Sequence, residues 1–357
     1  MRAMRKIFPI PLLLILSTIV FGQANNTKVD YSAPPNALFT AEEVTVTAKG
    51  YTLAGTLLLP KNGKRPLPAI ITITGSGQQT RDEPLPIPGL EKYKLMRQVA
   101  EALASRGIAV LRVDDRGVGG SGGRDTLMTA TTSSFADDVR AEVAYLRSRS
   151  EIDPKRIALV GHSEGGIIAP MVAATDAQVA AIVLMAGSGK SGAQISMEQL
   201  TYILDTTPGV TPELRKQKLA EQQEIMTAVQ TGGDLSKYPA EVRLPWTKEF
   251  WTYDPLTTIR KVRQPILILQ GARDRQITAE QAGMLEQAAR EGGNKDVTKQ
   301  IFPNLNHLFL PAKTGSVSEY STLETQLVGD DVLKTLGDWL VLKFELSRSK
   351  RASSATP

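Results

Sequence analysis

Apolar and polar positions alternate early in the chain, then give way to compact apolar runs separated by helically spaced ones. Val44–Ala48 and Tyr51–Leu59 alternate around Lys49-Gly50, a pattern that predicts an antiparallel hairpin. Pro68–Thr74 is a continuous β-branched run, as expected of a strand buried on both faces, and Ile108–Val113 reads the same way. Further strands are predicted at Arg156–Val160, Val179–Met185, Pro265–Leu269 and Val297–Phe302. Between them, Leu95–Ser105 places Leu95, Val99 and Leu103 on one helical face, and Gly107 stops it. Phe135–Arg149 turns Val139, Val143 and Leu146 inward, and helices are also predicted at Gly165–Ala174, Ala279–Arg290 and Val332–Phe344.

After the hairpin, strand and helix alternate. That order predicts an α/β fold: a mainly parallel sheet with helices on both faces. Ligands of such sheets bind beyond the C-terminal ends of the strands. Residues 188–260 break the alternation, because they contain no buried-strand run. They read as helices, including Glu213–Gln230, with an aromatic cluster at Trp246, Phe250, Trp251 and Tyr253. The segment is expected to be a helical cap inserted between two core strands. The aromatic residues either pack the cap onto the core or line a substrate pocket, with Trp246 and Phe250 as candidates for the second role.

The length of 357 residues and a hydrophobic share of 41% allow a large core. Residues 1–24 place Arg2, Arg5 and Lys6 before the ten-residue apolar run Leu12–Phe21, followed by Gly22 and Ala24. This is the layout of a secretory signal, and the run is shorter than the ~20 residues of a spanning helix. The expected organisation is a signal peptide at 1–24, a flexible or extended segment at 25–40, a catalytic domain at 41–345 and a disordered tail at 346–357. Export to the periplasm or the exterior is expected, without stable membrane insertion once the signal is cleaved. Without the three basic residues the formal charge falls from +5 to +2, too little to suggest nucleic acid. The absence of cysteine excludes disulfides, a thiol nucleophile, thiolate metal sites and a lipidated N-terminal Cys.

Chemistry concentrates at Gly161-His162-Ser163-Glu164-Gly165-Gly166, a G-x-S-x-G motif between a predicted strand and a predicted helix. In that context the serine sits on a strained turn with its hydroxyl exposed. Serine is a poor nucleophile unless a base takes its proton. The chain has two histidines. His162 is bound through the backbone to the serine itself, which leaves His307, in a loop after the last predicted strand, as the candidate base. A carboxylate must orient that imidazole, in the chain order Ser, acid, His. Asp274, directly after the strand Pro265–Leu269, meets this requirement; the runner-up, Asp254, belongs to the insertion. Donors for a developing oxyanion are expected from the N–H of Glu164 and from the loop Gly75-Ser76-Gly77, with Ser76 first and Gly77 second.

Gly117-Val118-Gly119-Gly120-Ser121-Gly122 fits G-x-G-x-x-G after a strand. A dinucleotide site needs a helix opening at its third glycine, and polar residues up to Ser134 intervene instead. No metal-ligand spacing appears, and neither a metal nor an organic cofactor is expected.

These motifs, together with Leu111-Arg112-Val113-Asp114-Asp115-Arg116-Gly117 and Asn306-His307, resemble bacterial α/β-hydrolases. The group they look most like is the carboxylesterases described as serine-aminopeptidase-like. The likeness runs from about residue 42 to 345, cap included. It implies an α/β-hydrolase fold, a Ser163–Asp274–His307 triad, a structural Asp115-Arg116-Gly117 loop and a small-molecule ester as substrate. The loop Gln78-Gln79-Thr80-Arg81-Asp82-Glu83 departs from the family where Thr80 replaces a common acid. An aminopeptidase or amidase would present acids such as Glu164 or Glu198 to a substrate ammonium. A thioesterase is disfavoured by export. A binding protein that keeps the fold without catalysis is the reading from a different class.

Overall fold

A computed structural model describes residues 29–346. The expected signal peptide, and the expected tail beyond Leu346, lie outside the described residues. The described chain forms β1 (Phe39–Thr47), β2 (Thr52–Pro60), β3 (Leu67–Ile73), α1 (Leu95–Ala104), β4 (Ala109–Val113) and α2 (Thr132–Ser148). Next come β5 (Ile152–His162), α3 (Gly165–Ala173), β6 (Ala181–Met185), α4 (Gly192–Thr206), α5 (Pro212–Thr231), α6 (Pro245–Thr252) and α7 (Pro255–Ile259). The chain continues through β7 (Ile266–Gly271), α8 (Glu280–Glu291), β8 (Val297–Phe302) and α9 (Asp330–Lys343).

The eight strands form one sheet in the order β1-β2-β4-β3-β5-β6-β7-β8. β2 runs antiparallel to both β1 and β4, and every other pairing is parallel. Because side chains alternate along a strand, each central strand feeds both faces. Ile71 and Leu159 pack with Val139 and Val143 of α2, Ile167 of α3 and Leu285 of α8. Ile70 and Val160, one residue away, pack with Leu95, Val99 and Leu103 of α1 and Leu336 and Leu340 of α9. The strand turns β3–α1, β5–α3, β7–α8 and β8–α9 therefore share one edge of the sheet, where the candidate residues gather.

Boundaries follow local chemistry. β1 begins at Phe39, ahead of the alternation that starts at Val44, because Glu42 and Glu43 occupy its middle. Upstream of it, the segment from Val29 includes a turn at Pro34–Ala37 and is tied to the rest of the chain. Arg97 donates to the carbonyls of Asp30 (2.7 Å) and Ser32 (3.0 Å), and the Arg81 guanidinium lies 4.0 Å above the Tyr31 ring. α2 starts three residues before the first apolar contact suggests, since Thr131 and Ser134 form a capping box. Residues between β6 and β7 are helical, α4 to α7, and α4 to α6 bury a small core of their own. It is built from Ala193, Ile225, Met226, Val229, Val242 and Trp251.

Trp251→Ala removes the largest side chain of that core and should cost about 3–5 kcal/mol. Because the core is separate from the sheet's, hydrogen exchange should show lost protection in α4–α6 first, with β3, β5 and β6 unchanged. Equal loss in the sheet would contradict an independent core.

Candidate active site

The turn from β5 into α3 is a tight crossing. A β-carbon on Gly161 would lie 2.0 Å from the carbonyl oxygen of Gly165, and one on Gly165 would lie 2.3 Å from that of Ile73 in β3. Neither position can be anything but glycine without backbone movement. Between them Ser163 is held at φ 53°, a left-handed conformation that costs a non-glycine residue on the order of 1–3 kcal/mol. Its N–H donates to Met185 O at 2.9 Å, and its carbonyl accepts from Gly166 N at 2.9 Å.

Asp274 follows β7 and is 1% exposed. Its Oδ1 accepts from the backbone N–H groups of Gln276 and Ile277, both at 2.8 Å. Its Oδ2 accepts from Gln270 Nε2 at 2.9 Å and is 2.8 Å from His307 Nδ1. Four bonds fix the carboxylate, and the histidine ring is oriented by it. Arg273 and Arg275 do not compete for it: they donate to the carbonyls of Ala312 and Thr314. Asp254, the runner-up acid, caps α7 through Leu256 N and Thr257 Oγ1. The His307 turn is built on Asn306, whose Oδ1 accepts from Leu308 N and Leu310 N at 2.9 and 3.1 Å.

The His307 ring lies 4.8 Å, centre to centre, from that of His162, the neighbour of Ser163. The acid–histidine pair thus stands at the elbow. With Nδ1 taken by Asp274, Nε2 is the nitrogen available to the serine hydroxyl. His162 itself is spent elsewhere: Nδ1 is 2.7 Å from Glu83 Oε1 and Nε2 is 3.0 Å from His307 O. On the opposite side, a β-carbon on Gly75 would lie 3.2 Å from Ser163 Cβ, so the Gly75-Ser76-Gly77 loop abuts the nucleophile. Among the described residues, the N–H groups of Ser76, Gly77 and Glu164 donate to no protein acceptor. The loop beneath is pinned by Arg81, which donates to Asp114 through Nε (3.0 Å) and NH2 (2.9 Å), and by the buried pair Arg112–Asp82. Asp115 accepts from Gln79 N at 2.9 Å, and Gly120 N closes the glycine-rich turn onto Asp114 at 3.0 Å.

Glu164 is buried, and its Oε1 accepts from Thr132 Oγ1 (2.6 Å) and Trp246 Nε1 (2.8 Å). Trp246 stacks on Phe250, ring centres 4.8 Å apart, and Phe250 packs against both the insertion core and the main core. These two aromatics therefore fasten α6 to the elbow. A polar cavity of about 40 Å³ under the Gly75–Gly77 loop is also lined by Asp115, Glu142 and Glu164. Burial pushes all three carboxyls up, those of Asp115 and Glu142 well above the usual range.

The structure brings together the candidates Ser163, Asp274, His307 and the loop Gly75–Gly77. Sequence reasoning missed Gln270, which braces Asp274, the bond from Trp246 to Glu164, and Glu83. The charged run Arg81-Asp82-Glu83, three residues beyond Gly75-Ser76-Gly77, was a signal that these carboxylates were fixed in place.

The strand order, the left-handed serine between crossed glycines and the buried Asp–His pair define an α/β-hydrolase. A family model described as Serine aminopeptidase, S33 matches residues 89–312, and the chain belongs to that family. It is similar to the esterase EstD of Thermotoga maritima, 24% identical over 336 residues, covering 90% of this chain and 73% of that protein. Among solved structures it is similar to the Pyrococcus furiosus esterase Pf2001. That match has a TM-score of 0.56 at 17% identity, covering 88% of this chain and 95% of the other. Est1E of Butyrivibrio proteoclasticus, solved with ferulic acid bound, matches with a TM-score of 0.52 at 18% identity, covering 85% and 99%.

Burial raises the Glu164 carboxyl above its ordinary 4.5; its bonds to Thr132 and Trp246 only partly offset this. Stability from this group is complete below the unfolded value and is lost as pH rises through the folded one. Glu164→Gln keeps an acceptor for both donors and cannot ionise. Its stability in urea should therefore pull ahead of the wild type's as pH rises from the ordinary carboxyl value through the raised folded one. A pH-independent difference would contradict the upward shift at Glu164.

Proposed function

We propose that the protein hydrolyses carboxylic esters through an acyl-enzyme. Ser163 Oγ attacks the ester carbonyl while His307 Nε2 takes its proton. Asp274 holds the ring in the required tautomer and stabilises the imidazolium. The N–H of Glu164, with that of Ser76 or Gly77, receives the negative charge on the carbonyl oxygen. Collapse of the tetrahedral intermediate expels the alcohol, which takes the proton from His307. Water, activated by the same imidazole, then releases the acid and restores Ser163.

The observation that carries this reading is the Asp274–His307 pair, fixed by four carboxylate bonds and set beside a strained serine. The esterase names of several relatives support it. The family's description raises the aminopeptidase alternative, which needs free carboxylates for a substrate ammonium. The two acids best placed for that are engaged: Glu164 holds Thr132 and Trp246, and Glu198 is paired with Lys190. This favours the ester.

Wild-type protein should cleave p-nitrophenyl esters, with the acyl-length profile sizing the pocket, and Ser163→Ala should abolish turnover. Asp274→Asn should fold yet lose on the order of 10⁴-fold in kcat, because the ring is left in the wrong tautomer. A folded wild type that spares every ester but cleaves aminoacyl amides would move the assignment to the aminopeptidase. Failure on both substrate classes would favour a binding role.

A further inference from the structure

His162 has an acceptor at each ring nitrogen. The carbonyl of His307, 3.0 Å from Nε2, has no proton to give, so Nε2 must donate. At 2.7 Å from Nδ1, Glu83 Oε1 also accepts the N–H of Gly75 at 2.8 Å. With the Gly75 N–H already on this oxygen, the arrangement is one in which Oε1 accepts twice and Nδ1 donates as well. A neutral imidazole carries a single N–H and cannot donate in both bonds. The side chains of His162 and Glu83 are each 5% exposed. Glu83 is held at φ 53°, a backbone conformation its type rarely adopts, in the loop anchored by Arg81–Asp114 and Arg112–Asp82.

We propose that Glu83 and His162 form a buried carboxylate–imidazolium pair that positions the active site without touching substrate. The pair joins its three separate parts. His162 adjoins the nucleophile, its Nε2–H holds the loop that carries His307, and Glu83 holds the oxyanion loop through Gly75. The proposal rests on the hydrolase reading for its kinetic consequences, but the protonation state stands independently of it.

The groups facing the ring are Glu83, His307 and Asp274, with Phe309 edge-on at 6.2 Å; Tyr93 faces Glu83 from the segment before α1. Burial alone would depress His162, yet the charge and hydrogen bond of Glu83 outweigh it and the net direction is upward. The charge is thus lost only as pH rises through the raised folded value. The lone pair of Nδ1 then faces a carboxylate, the three-way junction weakens, and kcat falls on the alkaline side.

The test uses the fact that the chain has only two histidines. In ¹⁵N-labelled protein at neutral pH, one imidazole should carry protons on both nitrogens, and that signal should vanish in His162→Gln. A neutral His162 ring would overturn the proposal, whatever the variants do. Glu83→Gln cannot serve Gly75 and a neutral ring together. It should lower kcat at least tenfold with KM within about twofold, slow fluorophosphonate labelling of Ser163 in parallel, and remove the alkaline limb of the wild-type pH profile. A folded Glu83→Gln protein with wild-type kcat and pH profile would also overturn it. If wild-type Ser163 resists the fluorophosphonate, the hydrolase reading fails instead, and the nitrogen spectrum still decides the state of the pair.

Discussion

The structure turns on how closely β5 and α3 pass β3. The carbonyl of Gly165 and the carbonyl of Ile73 stand where β-carbons would be, so the strand must leave the sheet through glycine. That closeness forces Ser163 into a left-handed turn and brings its hydroxyl to the sheet edge, where the other loops converge. The strain is sustainable because both neighbouring strands over-determine it. Met185 O in β6 receives the serine N–H, and the all-buried residues of α3 leave the helix no alternative seat.

A second constraint is charge without water. Arg81, Asp82, Arg112 and Asp114 are all buried, and each guanidinium has a carboxylate partner. Such pairs contribute little net stability, since desolvation offsets their attraction, but losing one partner strands the other. Their effect is geometric. Two consecutive loops, after β3 and after β4, cannot shift relative to each other without stranding a charge. The loop Gly75–Gly77 inherits that rigidity, which the proposed role as oxyanion donor would require.

Much of this was legible in the residue pattern. β3, β4, β6, β7 and the second half of β5 are nearly pure apolar runs, so their existence and order along the chain could be read directly, and two histidines left little choice of candidate base. Other features were hidden because their partners lie far apart in sequence. Glu83 and His162 are 79 residues apart, and nothing local to either indicates the other. Gln270 sits inside the apolar strand Ile266–Gly271, where an amide reads as an irregularity until Asp274 is seen beside it. Trp246 offered two roles on composition alone; its bond to a buried carboxylate of the elbow became visible only with α6 folded over α3. The starts of β1 and α2 were obscured by polar residues whose side chains are engaged: Glu42 with Arg149, and Thr131 with Ser134.

The sheet also has two open sides. β8 ends it with Thr298, Lys299 and Gln300 exposed, and Lys299 is clamped by Glu286 of α8. At the far side, Glu42 and Glu43 of β1 reach across to Arg149 and Arg81. Unpaired strand edges invite further strands from other chains, and charged side chains along them discourage it. The residues that blur the pattern of β1 thus act against self-association. A sheet of eight strands with no disulfide to restrain it is guarded at both margins by ionic side chains against growing into a polymer.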